Sequence, residues 1–360
     1  MKRLLALLCV LMFLPACVGF YGQAIRGQWE LIRKPKPIEQ WLEAPSTDAQ
    51  LRQNLEVASD ARQFAIRTLG LPDNNSYTRY ADLERPFVVW SVVATPPYSL
   101  LPESWCFPVA GCVNYRGYFA EQNARKFAKK LEAKGLDVSV GGVPAYSTLG
   151  RLKDPILNTM FRYGTTGAIS TIFHELAHQK LYVKGDTPFN EAFATAVEEE
   201  GMRLWFARPG QDTENHRRYL ENRKRRLGFI RIVIDSQSRL RALYAQDFDD
   251  ETKEVMKQKE FARLKQQYAK LNEQWQGRAG YDNWFNRPLN NAHIASVANY
   301  EGLLPAFRTI LRQESNDLDR FYQRCQELAK MEKSERSEAM RALMALSESD
   351  PLTSGSTPIN

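Results

Sequence analysis

The chain has 360 residues, 43% of them hydrophobic and 25% charged, and a formal net charge of +7. That length allows one large domain or two lobes around an ample core, and the composition excludes a disordered or fibrous chain. The positive excess is mild and sits in helix-forming runs such as Arg217-Arg218 and Arg223-Lys224-Arg225-Arg226. A solvated helix face accounts for it, so no nucleic-acid partner is expected.

Residues 1–16 read as an export signal, separate from the fold. Lys2-Arg3 precede the apolar run Leu4–Leu14, which is too short to span a bilayer. Leu14-Pro15-Ala16-Cys17 resembles a bacterial lipobox with Cys17 as the lipidated residue. Val18 follows where an aspartate would resemble an inner-membrane retention signal. The expected address is therefore the periplasmic face of the outer membrane, reached through a lipid anchor. Pro15 is atypical of a lipobox, so plain cleavage to a soluble periplasmic protein is the alternative.

Further on, Ala49–Leu69 reads as a helix stopped by Gly70 and Pro72. Phe87–Ala94 is rich in β-branched and aromatic residues and reads as a buried strand, with strand-like pieces over Cys112–Phe119. A helix over Glu121–Lys134 is closed by Gly135, and Leu136–Val140 is a further strand. Cys106 and Cys112 enclose a short loop containing Pro108 and Gly111, which suits a disulfide in an oxidising compartment. A metal pair is the rival reading, but the spacing is not C-x2-C and no histidine is near. Cys325 is then a lone buried thiol.

Residues 174–178 read His-Glu-Leu-Ala-His, in a chain whose other histidines are His216 and His293. Two histidines four apart share a helix face and can reach one metal, with Glu175 one step round. Ile169, Ile172, Phe173, Leu176 and Ala177 form an apolar stripe, so the motif is expected on a buried helix. A second helix runs from Asn190 to about Phe206 and is stopped by Pro209-Gly210. Glu191 near its start supplies a third ligand, leaving one zinc position for water. Glu198 returns to the same face two turns later, where its carboxylate can hold the free ring nitrogen of a ligating histidine. The plain alternative for Glu198 is an exposed acid in the run Glu198-Glu199-Glu200.

Asp212 to about Gln276 reads as a charged helical hairpin turning near Phe248–Glu251, with His216 on its surface. Leu289–Tyr300 returns to the core, and one more helix runs to about Leu346. The predicted division is a signal over 1–16, a catalytic region over 17–210, a helical region over 211–346 and a disordered tail over 347–360.

His174-Glu-x-x-His178 followed by Asn190-Glu191-x-Phe193-Ala194 and Glu198 resembles the gluzincins, distantly the M1 aminopeptidases. Four longer stretches are similar to a bacterial family of aminopeptidases: Trp105–Cys112, Gly141–Gly150, Phe173–Gln179 and Phe189–Glu191. The fold so expected is α+β and predominantly helical, with two zincin-like helices, a small mixed sheet and a long C-terminal helical region. The resemblance implies one zinc ion per chain on His174, His178 and Glu191, with Glu175 as general base acting on a peptide or protein substrate. It implies N-terminal release, although the M1 signature for a free amine is absent and the connection from His178 to Glu191 is shorter than in M1. An envelope endopeptidase and a non-catalytic lipoprotein scaffold are the alternatives. Related peptidases use a tyrosine beyond the second zinc helix to stabilise the oxyanion, which points to Tyr300 ahead of Tyr146 and His293. They also pair substrate with an edge strand, a role that Tyr146, Ser147 and Thr148 would take here, unless that stretch is an ordinary loop.

Overall fold

Helix starts in this chain are written in acids. Asp48, Asp186, Asp212, Asp249 and Asp317 each accept a backbone N–H at the first turn of the helix they precede, and Asn290 does the same. Each such cap is worth about 1 kcal/mol. The computed structural model describes residues 20–107 and 111–348; the side chains of 298–301, 347 and 348 lie outside that description. The export signal, Cys17 and most of the tail therefore fall outside it as well.

In chain order the elements are α1 (residues 20–33), β1 (Lys36–Pro37), α2 (Ile38–Glu43), α3 (Ala49–Arg67), β2 (Arg79–Ala81), β3 (Val89–Thr95), β4 (Trp105–Phe107), β5 (Gly111–Val113), β6 (Arg116–Tyr118), α4 (Glu121–Glu132) and β7 (Asp137–Val143). Then come β8 (Ile156–Leu157), a 3-10 segment (Asn158–Tyr163), α5 (Gly164–Lys180), α6 (Thr187–Phe206), α7 (Thr213–Tyr244), α8 (Asp250–Gln274), α9 (Asp282–Phe285), α10 (Asn291–Glu301), α11 (Leu304–Gln313), α12 (Leu318–Lys330) and α13 (Lys333–Glu348). The fold is predominantly helical α+β, with sheets of two or three strands, as the sequence predicts.

Three apolar clusters organise it. In the largest, α3, α5, α6 and α11–α13 bury Phe64, Phe173, Phe193, Phe307 and Phe321 together. The second is the sheet β6–β3–β7, antiparallel throughout, covered by α4. The third closes the α7–α8 hairpin over Phe285, Leu289 and Ile294. Buried Lys257 of α8 joins hairpin to sheet, donating to Asp137 of β7 at 2.8 Å and to the Pro97 carbonyl at 2.9 Å. The same Asp137 carboxylate accepts the backbone N–H of Asn291 at 3.0 Å.

One expectation changes. The single helix to Leu346 is three helices. Ser315 and Asn316 take left-handed φ values of 55° and 60°, and Asp317 starts a new cap, so the chain turns between α11 and α12. The strand-like pieces expected over Cys112–Phe119 are present as β5 and β6, which belong to different sheets and are parted at Asn114 and Tyr115.

α5 and α6 approach closely at Gly201. A methyl there would sit 2.7 Å from Leu69 Cδ1 and 2.8 Å from Phe173 Cδ2, both fully buried. Gly201→Val is expected to lower stability by about 1–3 kcal/mol through overpacking. The urea midpoint reads this directly, and an unchanged midpoint would show room between the helices that the packing denies.

Candidate metal centre

The predicted apolar stripe of α5 is buried along its whole length, from Ile169 to Ala177. That leaves His174 and His178 on the adjoining face with ring centroids 4.8 Å apart. The link to α6 is short, and Asn190 closes it. Its side-chain oxygen accepts the Val183 N–H at 2.7 Å, and its amide donates to the Val183 carbonyl at 2.8 Å. Asp186 caps α6 and pairs at 2.8 Å with buried Arg336 from α13. Phe307 of α11 packs on Phe189 of α6, centroids 5.0 Å apart.

So held, Glu191 faces both imidazoles. Its Oε2 lies 3.3 Å from His174 Nε2 and 3.7 Å from His178 Nε2. Among the described residues these three form the one group able to hold a metal, with ligand atoms all within 4.8 Å of one another. Two ligands on one tetrahedral zinc stand about 3.4 Å apart, so the arrangement fits the ion that its donors imply. Burial opposes ionisation of Glu191, but hydrogen bonds and charge from the two histidines hold its carboxyl well below the usual range.

Glu198 lies behind His174, its Oε2 3.1 Å from Nδ1. The Ser170 hydroxyl donates to its other oxygen. This fixes His174 with Nε2 towards Glu191, the orientation metal binding requires. Burial of Glu198 is outweighed by His174 and the Arg226 charge, which keep it ionised. Its neighbours are committed elsewhere: Glu199 to Arg223 and Arg308, Glu200 to Arg203. The acidic run is thus three separately paired carboxylates. His178 has no comparable support, since its Nδ1 is buried without a hydrogen-bond partner.

Glu175 sits one step round α5. Burial raises its pKa; the two histidines pull it down, and Glu191 and Asp154 push it up. A base that must take a proton and release it again is served by such a balance.

The expected edge strand is corrected. β7 is the edge of its sheet but stops at Val143, and Tyr146, Ser147 and Thr148 lie in a loop. Asp154 shapes that loop: it accepts the Thr148 N–H at 3.0 Å, the Thr148 hydroxyl at 2.7 Å and the Ser147 hydroxyl at 3.2 Å. Pro144, with no N–H, interrupts the ladder just before it. The side chain of Tyr300 lies outside the described residues. His293 is occupied elsewhere, its Nδ1 2.7 Å from Asn290 and its ring beside Trp284. Burial lowers its pKa to about 4, and Arg287 adds to the effect.

Sequence reasoning missed three tyrosines at the site. Tyr115, in the turn between β5 and β6, has its pKa raised by burial and then by Glu191, Tyr182, Glu175 and Tyr146. Tyr182 has its ring 6.4 Å from that of His178 and is raised by burial and by Glu191. Tyr77 is buried, with φ of 63°, and is raised by burial, Glu175 and Asp154. Its hydroxyl makes no hydrogen bond of proper geometry, though Ser147 lies beside it. Only Tyr182, four residues past His178, carried a local signal.

Cys106 and Cys112 are cross-strand partners of β4 and β5, with sulfurs 2.01 Å apart. Gly111 packs on the inter-helix loop so tightly that a methyl would lie 2.9 Å from Lys184. The bridged hairpin therefore rests on the connection between the two helices, one turn from Tyr115. Cys325 is buried and unbonded.

A family model described as "Putative aminopeptidase" matches residues 19–340. No curated protein and no solved structure matches the chain.

Glu198→Gln is expected to weaken divalent-metal affinity by about 10–100-fold, since it removes the charged partner of His174. Competition against a chromophoric chelator measures it. Equal affinity in the variant would assign Glu198 to packing alone.

Proposed function

The chain belongs to the family described as "Putative aminopeptidase", and on that premise we propose that it hydrolyses peptide bonds with one zinc ion held by His174, His178 and Glu191. The observation that carries this reading is the convergence of both histidine Nε2 atoms on one carboxylate oxygen of Glu191, with Glu175 adjoining. Neutral imidazoles and an ionised carboxylate are the donor set of a hydrolytic zinc site, and the HExxH and Asn190-Glu191 pattern supports gluzincin-type chemistry. A zinc ion bound there supplies Lewis acidity, polarising the scissile carbonyl and bringing the pKa of a water down to about 7.

The protein's own groups do the rest. Glu175 accepts the proton of the attacking water and returns it to the leaving amine. Glu198 keeps His174 in one tautomer as charge builds beside it. The oxyanion needs a donor aimed at it, and we assign that role to Tyr115 ahead of Tyr300, because its buried phenol feels the charge of both Glu191 and Glu175. Its raised pKa keeps the phenol protonated, as a donor must be.

Release of N-terminal residues is proposed from family membership. A free-amine pocket distinguishes it from endopeptidase action, and paired peptides with free and acetylated N-termini separate the two. We place the enzyme on the periplasmic face of the outer membrane, lipidated at Cys17. The supports are Lys2-Arg3, the apolar run Leu4–Leu14, and the Cys106–Cys112 bridge, a bond of oxidising compartments. No described helix is long and apolar enough to cross a membrane.

Glu175→Gln is expected to keep stoichiometric zinc and lose about 10²–10⁴-fold in turnover of an unblocked peptide. Full activity in that variant, with zinc confirmed by elemental analysis, would leave the base unassigned and the proposed mechanism wrong. Tyr115→Phe is expected to lower kcat by about 10²–10³-fold with little change in KM or zinc content. If Tyr300→Phe shows that loss and Tyr115→Phe does not, the oxyanion donor comes from α10 instead.

A further inference from the structure

α1 has two unlike faces. The inner one is tightly engaged. Phe20 packs on Tyr118 and Phe107 with centroids 5.4 and 5.8 Å apart, beneath the Arg116 guanidinium at 3.9 Å. Gln23 accepts the Phe119 N–H at 3.0 Å, and Gly27 lets the Phe119 ring lie directly against the helix backbone. Leu31 is buried, and Glu30 pairs with Arg85 at 2.8 Å. The helix is thus fixed at both ends, to the sheet lobe at Phe20 and to the largest apolar core at Leu31.

The outer face is apolar and open. Tyr21, Ile25, Trp29 and Ile32 are 45%, 69%, 57% and 41% exposed. They fall at i, i+4, i+8 and i+11, one continuous stripe on the helix. Arg26 and Arg33 flank it, both exposed, with Arg33 reaching back over the Trp29 ring at 5.5 Å. Scattered exposed apolar residues need no explanation; a contiguous stripe with tryptophan and tyrosine among its members does. The chain also enters this helix from the apolar run Leu4–Leu14, with only residues 15–19 between. Whatever ties that end of the chain to a membrane holds α1 within a few residues of the lipid.

We propose that α1 is an interfacial helix, its Tyr21–Ile25–Trp29–Ile32 stripe lying in the headgroup region of a bilayer with anionic lipid. The aromatic pair suits the boundary between water and acyl chains, where one end of each ring is wet. Arg26 and Arg33 reach phosphate from the rim of the stripe, their stems covering apolar surface. The docking is independent of peptidase activity and of how the terminus is anchored. Its consequence is orientation. Because the inner face grips β6 and Phe107, the lobe bearing Tyr115 is held at the membrane surface, and the substrate expected is polypeptide at that surface.

The test places a nitroxide label on the full chain at Ile25→Cys or Trp29→Cys, with Lys134→Cys in the exposed turn after α4 as control. Signal is read as the difference from the unsubstituted chain in phosphatidylethanolamine–phosphatidylglycerol vesicles. Labels at 25 and 29 are expected to lose collisions with a water-soluble nickel chelate and gain collisions with oxygen, while the label at 134 keeps its nickel access. Equal nickel access at all three positions would overturn the proposal. So would shielding of 25 and 29 from both reagents, which means that protein, either residues 4–14 folded back or a second copy, covers the stripe. Neither result bears on the zinc site, and loss of activity in Glu175→Gln leaves the docking untouched.

Discussion

The approach of α5 to α6 is the constraint on which the rest of the structure depends. Every proposed metal ligand, the proposed general base and the carboxylate behind His174 sit on these two helices. Their separation is set at one end by the Asn190 clamp on Val183 and along the pair by the missing side chain of Gly201. An opening of one ångström at either place would part Glu191 from the histidines. Asn190 is 2% exposed, so both of its hydrogen bonds are made away from water. Losing either partner there costs more than the bond itself, because the other group is left buried and unpaired.

That pair of helices is not self-supporting. Two imidazoles and three carboxylates in an apolar interface cost free energy unless each finds a partner. The C-terminal helices supply much of the support. Arg336 of α13 reaches the Asp186 cap, Arg308 of α11 reaches Glu199, and Phe307 fills the space beneath Phe189 and Phe193. Residues well beyond the His174–His178 motif therefore belong to the same apolar core as the motif. A fold in which the last helices serve the first site explains why a family match extends to residue 340.

What the sequence makes legible is what helix periodicity controls. His174, His178 and Glu175 follow from one turn of helix, Glu198 from two turns past Glu191, and the burial of Ile169 to Ala177 from their stripe. The Cys106–Cys112 pair is legible too, since a short loop leaves few other partners. Tyr115 is not, because it comes near enough to Glu191 to feel its charge only once β5, β6 and the sheet have formed, and nothing near it in the chain marks that approach. The loop at Tyr146–Thr148 misleads for a related reason. The edge strand there is expected from resemblance, yet the Asp154 carboxylate captures the Thr148 N–H that a ladder would need and ties down both hydroxyls. The turn at Ser315-Asn316 depends on two successive left-handed residues, of which asparagine hints at one and serine at neither.

The two histidines are supported unequally. His174 has a charged partner at each nitrogen, Glu191 on Nε2 and Glu198 on Nδ1, and burial of the ring is outweighed by both. His178 has Glu191 alone, with its other nitrogen unpartnered in the interior. Its ring is placed by packing, edge-on to His174 and near Tyr182. A ligand fixed by charge on both sides resists reorientation as charge develops beside it. Tyr182 lies on the side of His178 and Glu198 behind His174. The two rings are therefore held by different means, His174 by carboxylates on both sides and His178 by the packing of the rings around it.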